Sequence, residues 1–314
     1  MSLAFVFPGQ GSQSVGMMRE LAERHARVGS TFAEASAVLG YDLWAVCRDG
    51  PAAALDATET TQPAMLTAAV ATYRVWRDQG GPVPAMMAGH SLGEFSALVA
   101  AGCLQFADAV ALVRLRAQAM QAAVPQGEGA MAAILGLEDS DVEAACDEAA
   151  EGEVVEAVNF NAPGQVVIAG HATAVARAIE AARARGAKRA VALPISVPAH
   201  SRLMAPAAAR LAERLAATNV VAADRINVYG VDVRVHANPA AIRAALVKQL
   251  HTPVYWAATV RTMIHAGATT VVECGPGRVL TSLNRRIDRS HELTALALDD
   301  PKSFEEALQA ALAA

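Results

Sequence analysis

One serine stands where a hydroxyl becomes a nucleophile. In Gly89-His90-Ser91-Leu92-Gly93-Glu94, one glycine lies two residues before Ser91 and another two residues after it. The stretch 83–88 ahead is short and apolar and reads as a buried strand. The stretch 95–101 behind is small, apolar and free of breakers, and reads as a buried helix. Gly-x-Ser-x-Gly at a strand-to-helix turn is the nucleophile-elbow pattern. The spacing is steric, because the serine occupies a sharp, strained turn and the glycines leave room for backbone and neighbouring strands. The same turn directs the backbone N–H of Leu92 towards the serine's reaction partner, at the positive end of the helix dipole.

A serine hydroxyl needs a base, and the chain has eight histidines. His90 adjoins Ser91, and adjacent residues at an elbow point in different directions. His200, in the proline-stiffened stretch Pro198-Ala199-His200, is the best candidate base. His25, His171, His236, His251, His265 and His291 sit in segments that read as exposed helix or loop. Between Ser91 and His200 the aspartates are Asp108, Asp139, Asp141 and Asp147, and none reads as a loop acid at a strand end. This favours a dyad, or a histidine oriented by a backbone carbonyl. Two arginines, Arg114 and Arg116, lie roughly 200° apart on one helix, so one faces inward; the apolar positions Val110, Val113 and Ala117 do not settle which. Gln62 is polar within an apolar segment, and either lines a site or caps its helix.

These groups need elements to hold them. A first strand, 4–7, leads into Pro8-Gly9-Gln10-Gly11-Ser12-Gln13. No Gly-Lys-Ser/Thr follows, and the loop lacks the third glycine of a dinucleotide fingerprint. The loop offers glutamines and backbone donors at a strand end, which suits an oxyanion or gating loop; an ordinary Gly-rich turn is the alternative. Helical pattern covers 17–39, 44–56, 58–76 and 108–120. From 130 a compact unit follows: strand 130–137, helix 140–150, strand 154–159, a turn at 161–164, strand 165–169, helix 172–185 and strand 190–193. This β-α-β-β-α-β order is the ferredoxin-like layout. Its mid-chain position predicts an insertion, 125–195, into a larger discontinuous domain, 1–124 and 196–314. Beyond an irregular stretch at 194–201, helix 204–217, strand 225–230, helices 239–250 and 255–266, strand 269–274 and helix 279–286 complete an α/β core.

With 314 residues, 54% apolar, the chain can bury a large core; with 18% charged residues and a net charge of −5, bulk charge speaks against a nucleic-acid binder. The opening stretch lacks a basic region and runs into a Pro-Gly turn, so neither a signal peptide nor a membrane span is expected. No stretch reaches the roughly 18 apolar residues of a spanning helix. Cys47, Cys103, Cys146 and Cys274 are scattered, without C-x-x-C or a histidine cluster at metal spacing, and read as reduced core thiols in a cytoplasmic protein with no metal.

Taken together, Phe7-Pro8-Gly9-Gln10-Gly11-Ser12-Gln13, Thr61-Gln62-Pro63-Ala64, the Ser91 elbow, Asn159-Phe160-Asn161-x-Pro163-Gly164-Gln165, Val197-Pro198-Ala199-His200 and Glu273-Cys274-Gly275-Pro276-Gly277 resemble one family across essentially the whole chain. It is that of bacterial malonyl-CoA:acyl carrier protein transacylases and, more distantly, the acyltransferase domains of fatty-acid and polyketide synthases. The resemblance implies an α/β-hydrolase-like core with the inserted subdomain. It implies Ser91 as acyl-accepting nucleophile and His200 as its base. Gln10 and the Leu92 N–H would form the oxyanion hole, and Arg116 would pair with the free malonyl carboxylate. The Gln249 backbone carbonyl would orient the histidine, with His90, Asn161 and Gln62 at the substrate. It also implies malonyl-CoA and holo acyl carrier protein as partners, no resident cofactor, no nucleic acid or membrane, and a monomer. An acidic carrier protein calls for local basic surface, at Arg278, Arg285 and Arg286 or at Lys188 and Arg189. Ala199 departs from the pattern, since relatives often carry serine there, beside the acyl pocket. Alternative readings are a serine hydrolase or thioesterase on the same elbow, a malonyl-transfer subunit of a malonate-decarboxylating complex, and an inactive docking scaffold.

Overall fold

The computed structural model describes residues 2–195, 197–288 and 293–313; Ser196 and His291 lie outside them. In chain order the elements are β1 (Ser2–Phe7), α1 (Arg19–Arg24), α2 (Ala26–Leu39), α3 (Leu43–Asp49), α4 (Ala52–Asp56), α5 (Thr58–Asp78), β2 (Met86–Gly89), α6 (Gly93–Ala100) and α7 (Phe106–Ala123). Next come β3 (Gly129–Leu135), α8 (Asp139–Ala150), β4 (Val155–Ala162), β5 (Gln165–His171), α9 (Ala172–Ala184) and β6 (Arg189–Ala192). The chain continues with α10 (Ala205–Ala216), β7 (Asn227–Tyr229), α11 (Pro239–Lys248), α12 (Trp256–His265), β8 (Ala268–Glu273), α13 (Val279–Ile287), β9 (Thr294–Ala297) and α14 (Pro301–Leu312).

Five strands form one parallel sheet in the order β7-β2-β1-β8-β9. Strands covered on both faces carry near-continuous apolar runs, and Ala4-Phe5-Val6-Phe7 in central β1 is fully buried. The β1–β2 register sets Phe7 against Gly89. The loops leaving the two strands therefore emerge side by side, at the carboxyl edge where open α/β sheets hold their sites.

The second sheet is antiparallel, in the order β4-β5-β3-β6, with α8 and α9 packed on one face. Its chain order and strand order are those of the ferredoxin-like layout. It is tied to the first unit by a backbone bridge: Phe160 N–H donates to Val254 O at 2.9 Å, and Val254 N–H donates to Val158 O at 2.8 Å. The Phe160 and Tyr255 rings stack over it, 5.2 Å apart.

The structure differs from the sequence expectations in a few places, each with a local cause. The stretch 17–39 breaks at His25, whose backbone is extended, and 44–56 breaks at Gly50-Pro51, where a glycine at φ 78° precedes a proline without an N–H. Strand β4 runs on to Ala162, so Asn161 lies within the strand and the turn contracts to Pro163-Gly164. Strand β9 and helix α14 were not anticipated; α14 is opened by a capping box between Asp300 and Ser303.

Candidate active site

The elbow has little freedom. Ser91 sits at φ 53°, in the left-handed region. A Cβ on Gly89 would stand 1.8 Å from the Gly93 carbonyl carbon, and one on Gly93 would stand 2.0 Å from the Phe7 carbonyl oxygen. Both glycines are therefore required by backbone packing. Among the described residues the Leu92 N–H has no hydrogen-bond partner, and Leu92 stands at the N-cap of α6. Gln10, in the loop after β1, lines the same cavity, and its side-chain amide lies 3.4 Å from Thr58 Oγ1.

His200 arrives from the proline-stiffened stretch and is 3% exposed, also in the left-handed region at φ 67°. Its Nε2 lies 2.7 Å from Ser91 Oγ, and its Nδ1 lies 2.6 Å from the Gln249 backbone oxygen. A carbonyl oxygen only accepts, so Nδ1 carries the proton and Nε2 offers its lone pair to the serine hydroxyl. Burial first, and then the Arg116 charge, push the imidazole down to about 3, so it is neutral at physiological pH.

Arg116, from α7, is 1% exposed. Its Nη1 donates to Gln62 Oε1 at 2.8 Å, and its Nη2 donates to Ser91 Oγ and to Gln249 Oε1, both at 3.1 Å. Its Nε is buried without a partner. Every acceptor around this cation is neutral, and burial brings its pKa down to about 10. Arg114, on the other side of α7, turns away and donates to Leu39 O at 2.7 Å. Gln62 lines the site, and does not cap α5.

His90 faces the second sheet, its Nε2 2.8 Å from Asn161 Oδ1 and its ring 5.5 Å from the Trp256 ring. Burial holds it below its ordinary pKa. Ser91, His200, Arg116, Gln62, His90, Asn161 and Gln10 all line one cavity of about 520 Å³ between the two sheets, lined on the third side by Leu193, Pro194, Ile195, Val197 and Ala199. Of the surface cations, Arg278 is paired with Asp299 and Asp300, and Arg286 reaches Gln165 on the second sheet.

Two participants escaped the sequence analysis. Glu94, one turn beyond Ser91, is fully buried, and it meets His236 Nε2 at 2.8 Å and Gln249 Nε2 at 2.9 Å. His236, expected to be solvated, is 8% exposed for this reason. Its partner is 142 residues away, so no local pattern reveals the pair. His171 likewise has a buried-side role, its Nδ1 accepting from Val154 N–H at 2.9 Å.

A strained serine, a neutral histidine and backbone donors at a helix start form the arrangement of serine-nucleophile acyl-transfer proteins. The chain belongs to the acyl transferase domain family, which it matches over residues 4–298. It is 58% identical, over 98% of both chains, to the Escherichia coli K12 protein named malonyl CoA-acyl carrier protein transacylase. A Vibrio cholerae acyl carrier protein S-malonyltransferase structure superposes with a TM-score of 0.94 at 52% identity, covering 98% of this chain and 100% of that one. A malonyl-transacylase solved with a type II PKS acyl-carrier protein superposes at 0.96 with 50% identity, covering 99% and 100%.

Proposed function

We propose that this chain moves a malonyl group from malonyl-CoA to the phosphopantetheine thiol of holo acyl carrier protein, through a malonyl-serine intermediate, in support of fatty-acid synthesis. The observation that carries the malonyl assignment is Arg116: a buried guanidinium with only neutral acceptors and an unpartnered Nε. A carboxylate beside Ser91 balances that charge and engages the planar fork. A neutral acetyl group leaves it unbalanced, at a cost of a few kcal/mol.

The residues act in turn. His200 Nε2 takes the Ser91 proton as Oγ attacks the thioester carbonyl carbon. The Leu92 N–H and Gln10 hold the developing oxyanion. The carbon–sulfur bond then breaks, and His200 returns the proton to the coenzyme A thiolate. In the second half His200 takes the proton of the incoming pantetheine thiol. The sulfur attacks the malonyl-serine ester, and Ser91 leaves and regains its proton. His90 and Asn161 line the approach of the arm. Both thioesters are substrates, and the scheme calls for no resident cofactor.

The division at 1–124 with 196–314, and 125–195, places the cleft between two units, which the two separate sheets support. A cytoplasmic location fits four buried, free cysteines; among the described residues no helix is long and apolar enough to cross a membrane.

The test is intact mass after brief mixing with malonyl-CoA or acetyl-CoA, for wild type, Ser91→Ala and Arg116→Ala. A malonyl adduct is expected on the wild type alone, discharged by holo carrier protein, with acetyl favoured in Arg116→Ala. No adduct, or one that water discharges as fast as the carrier does, returns the chain to the hydrolase reading.

A further inference from the structure

Behind the reacting groups lies a second layer that the scheme above does not use. Glu94 is fully buried on the first turn of α6. Its Oε1 receives His236 Nε2 at 2.8 Å; its Oε2 receives Gln249 Nε2 at 2.9 Å and Val231 N–H at 3.4 Å. Gln249 is fully buried too, and it touches both halves of the chemistry. Its side-chain oxygen accepts from Arg116 at 3.1 Å, and its backbone oxygen accepts from His200 at 2.6 Å.

A primary amide has one accepting end and one donating end, and nothing in Gln249 itself decides which faces the guanidinium. Glu94 decides it. A carboxylate accepts only, so the amide nitrogen must face Glu94 and the oxygen must face Arg116. The same contact sets an acid one amide away from a buried cation that touches no acid directly, and Glu94 raises the Arg116 pKa against the effect of burial. His236 covers the other carboxylate oxygen and leaves Oε2 aimed at Gln249. Polar groups one layer behind a site commonly fix the orientation of those in front.

We infer that Glu94 is a positioning residue for acyl selectivity: by pinning the Gln249 amide it holds Arg116 in place, so that the guanidinium is preset for a carboxylated acyl group. This rests on the malonyl-transfer reading. It assigns Glu94 no contact with substrate and no proton in the reaction.

The experiment is steady-state transfer and intact-mass loading with malonyl-CoA and acetyl-CoA, for wild type, Glu94→Gln and His236→Gln, with thermal unfolding measured alongside. In Glu94→Gln the side-chain volume stays, and one of the two oxygens that accept from His236 and Gln249 becomes an N–H donor. The malonyl-to-acetyl ratio of kcat/KM is expected to fall about tenfold or more, through a raised KM for malonyl-CoA. A purely structural role would lower both substrates alike. Gln at 236 presents its amide nitrogen near the place of the histidine Nε2 and leaves the Glu94–Gln249 bond in place, so His236→Gln is expected to keep the ratio within about threefold of wild type. If Glu94→Gln is not recovered folded, Glu94→Asp, which keeps the charge but falls short of Gln249, takes its place under the same criterion. A folded Glu94 variant with the wild-type ratio overturns the inference, as does an equal loss of ratio in His236→Gln. A wild type that forms no malonyl adduct refutes instead the reading on which the inference rests.

Discussion

The Gln249 backbone oxygen lies 2.6 Å from His200 Nδ1, in the place where many serine enzymes set a carboxylate. A carbonyl fixes the tautomer without adding a negative charge beside a cation-bearing pocket. It also separates two roles in one residue, because the backbone oxygen serves the histidine and the side-chain oxygen serves Arg116. Gln249→Ala keeps the first and removes the second, together with the amide's bond to Glu94. Malonyl loading of Ser91 is expected to fall by about tenfold or more, while acetyl loading changes by less than about threefold. Rapid-mixing mass spectrometry reads both, and a parallel collapse of the two would show that the side chain is needed for His200 as well.

The glycines of the elbow separate backbone packing from conformational preference. Gly93→Ala would drive a methyl to within 2.0 Å of the Phe7 carbonyl oxygen, which belongs to a central strand and cannot yield cheaply. A loss of more than about 3 kcal/mol, or no soluble protein, is expected. Gly29, at the end of the first turn of α2, has nothing within 4 Å of its added Cβ and no positive φ. Gly29→Ala is expected to stabilise by about 0.5–1 kcal/mol. Urea unfolding of the two variants gives opposite signs, and Gly93→Ala at wild-type stability would refute the steric account of the elbow.

The parts that were legible in the sequence are those written in short-range pattern. The elbow needs only five residues and a flanking strand and helix, and the ferredoxin-like order follows from alternating periodicities. Arg114 and Arg116 show where pattern stops: helix geometry says one turns inward, but α7 is apolar on more than one side, since Val110 and Leu112, roughly 200° apart, are both fully buried. Only the meeting of α5 and α7, which brings Gln62 to Arg116, distinguishes them. The Gln249 carbonyl has no side-chain signature at all and was reached only through likeness to relatives. His236 misled because its neighbours Arg234 and Asn238 are polar, while the acid that buries it sits on the elbow helix. Strand β9 is short, and its residues Thr294-Ala295-Leu296-Ala297 carry little β preference of their own; pairing with β8 makes it a strand.

The protonation state of His200 sets the pH range of the reaction. Neutral imidazole is the active form of His200, and its pKa in the folded protein is held down to about 3, first by burial and then by the Arg116 charge. A depressed pKa extends the active form to lower pH, so acetyl-CoA loading by the wild type is expected to stay level from pH 8 to about pH 5, well below the ordinary histidine value of about 6.5. Arg116→Gln takes away the second cause and leaves the first. Its acid limb therefore moves upward, part of the way towards the ordinary value, while the plateau at pH 8 is retained. Loading rates across this range, with circular dichroism to exclude acid unfolding, test the sign. If the limb of Arg116→Gln coincides with that of the wild type, or lies below it, the guanidinium is not what keeps the base free of its proton.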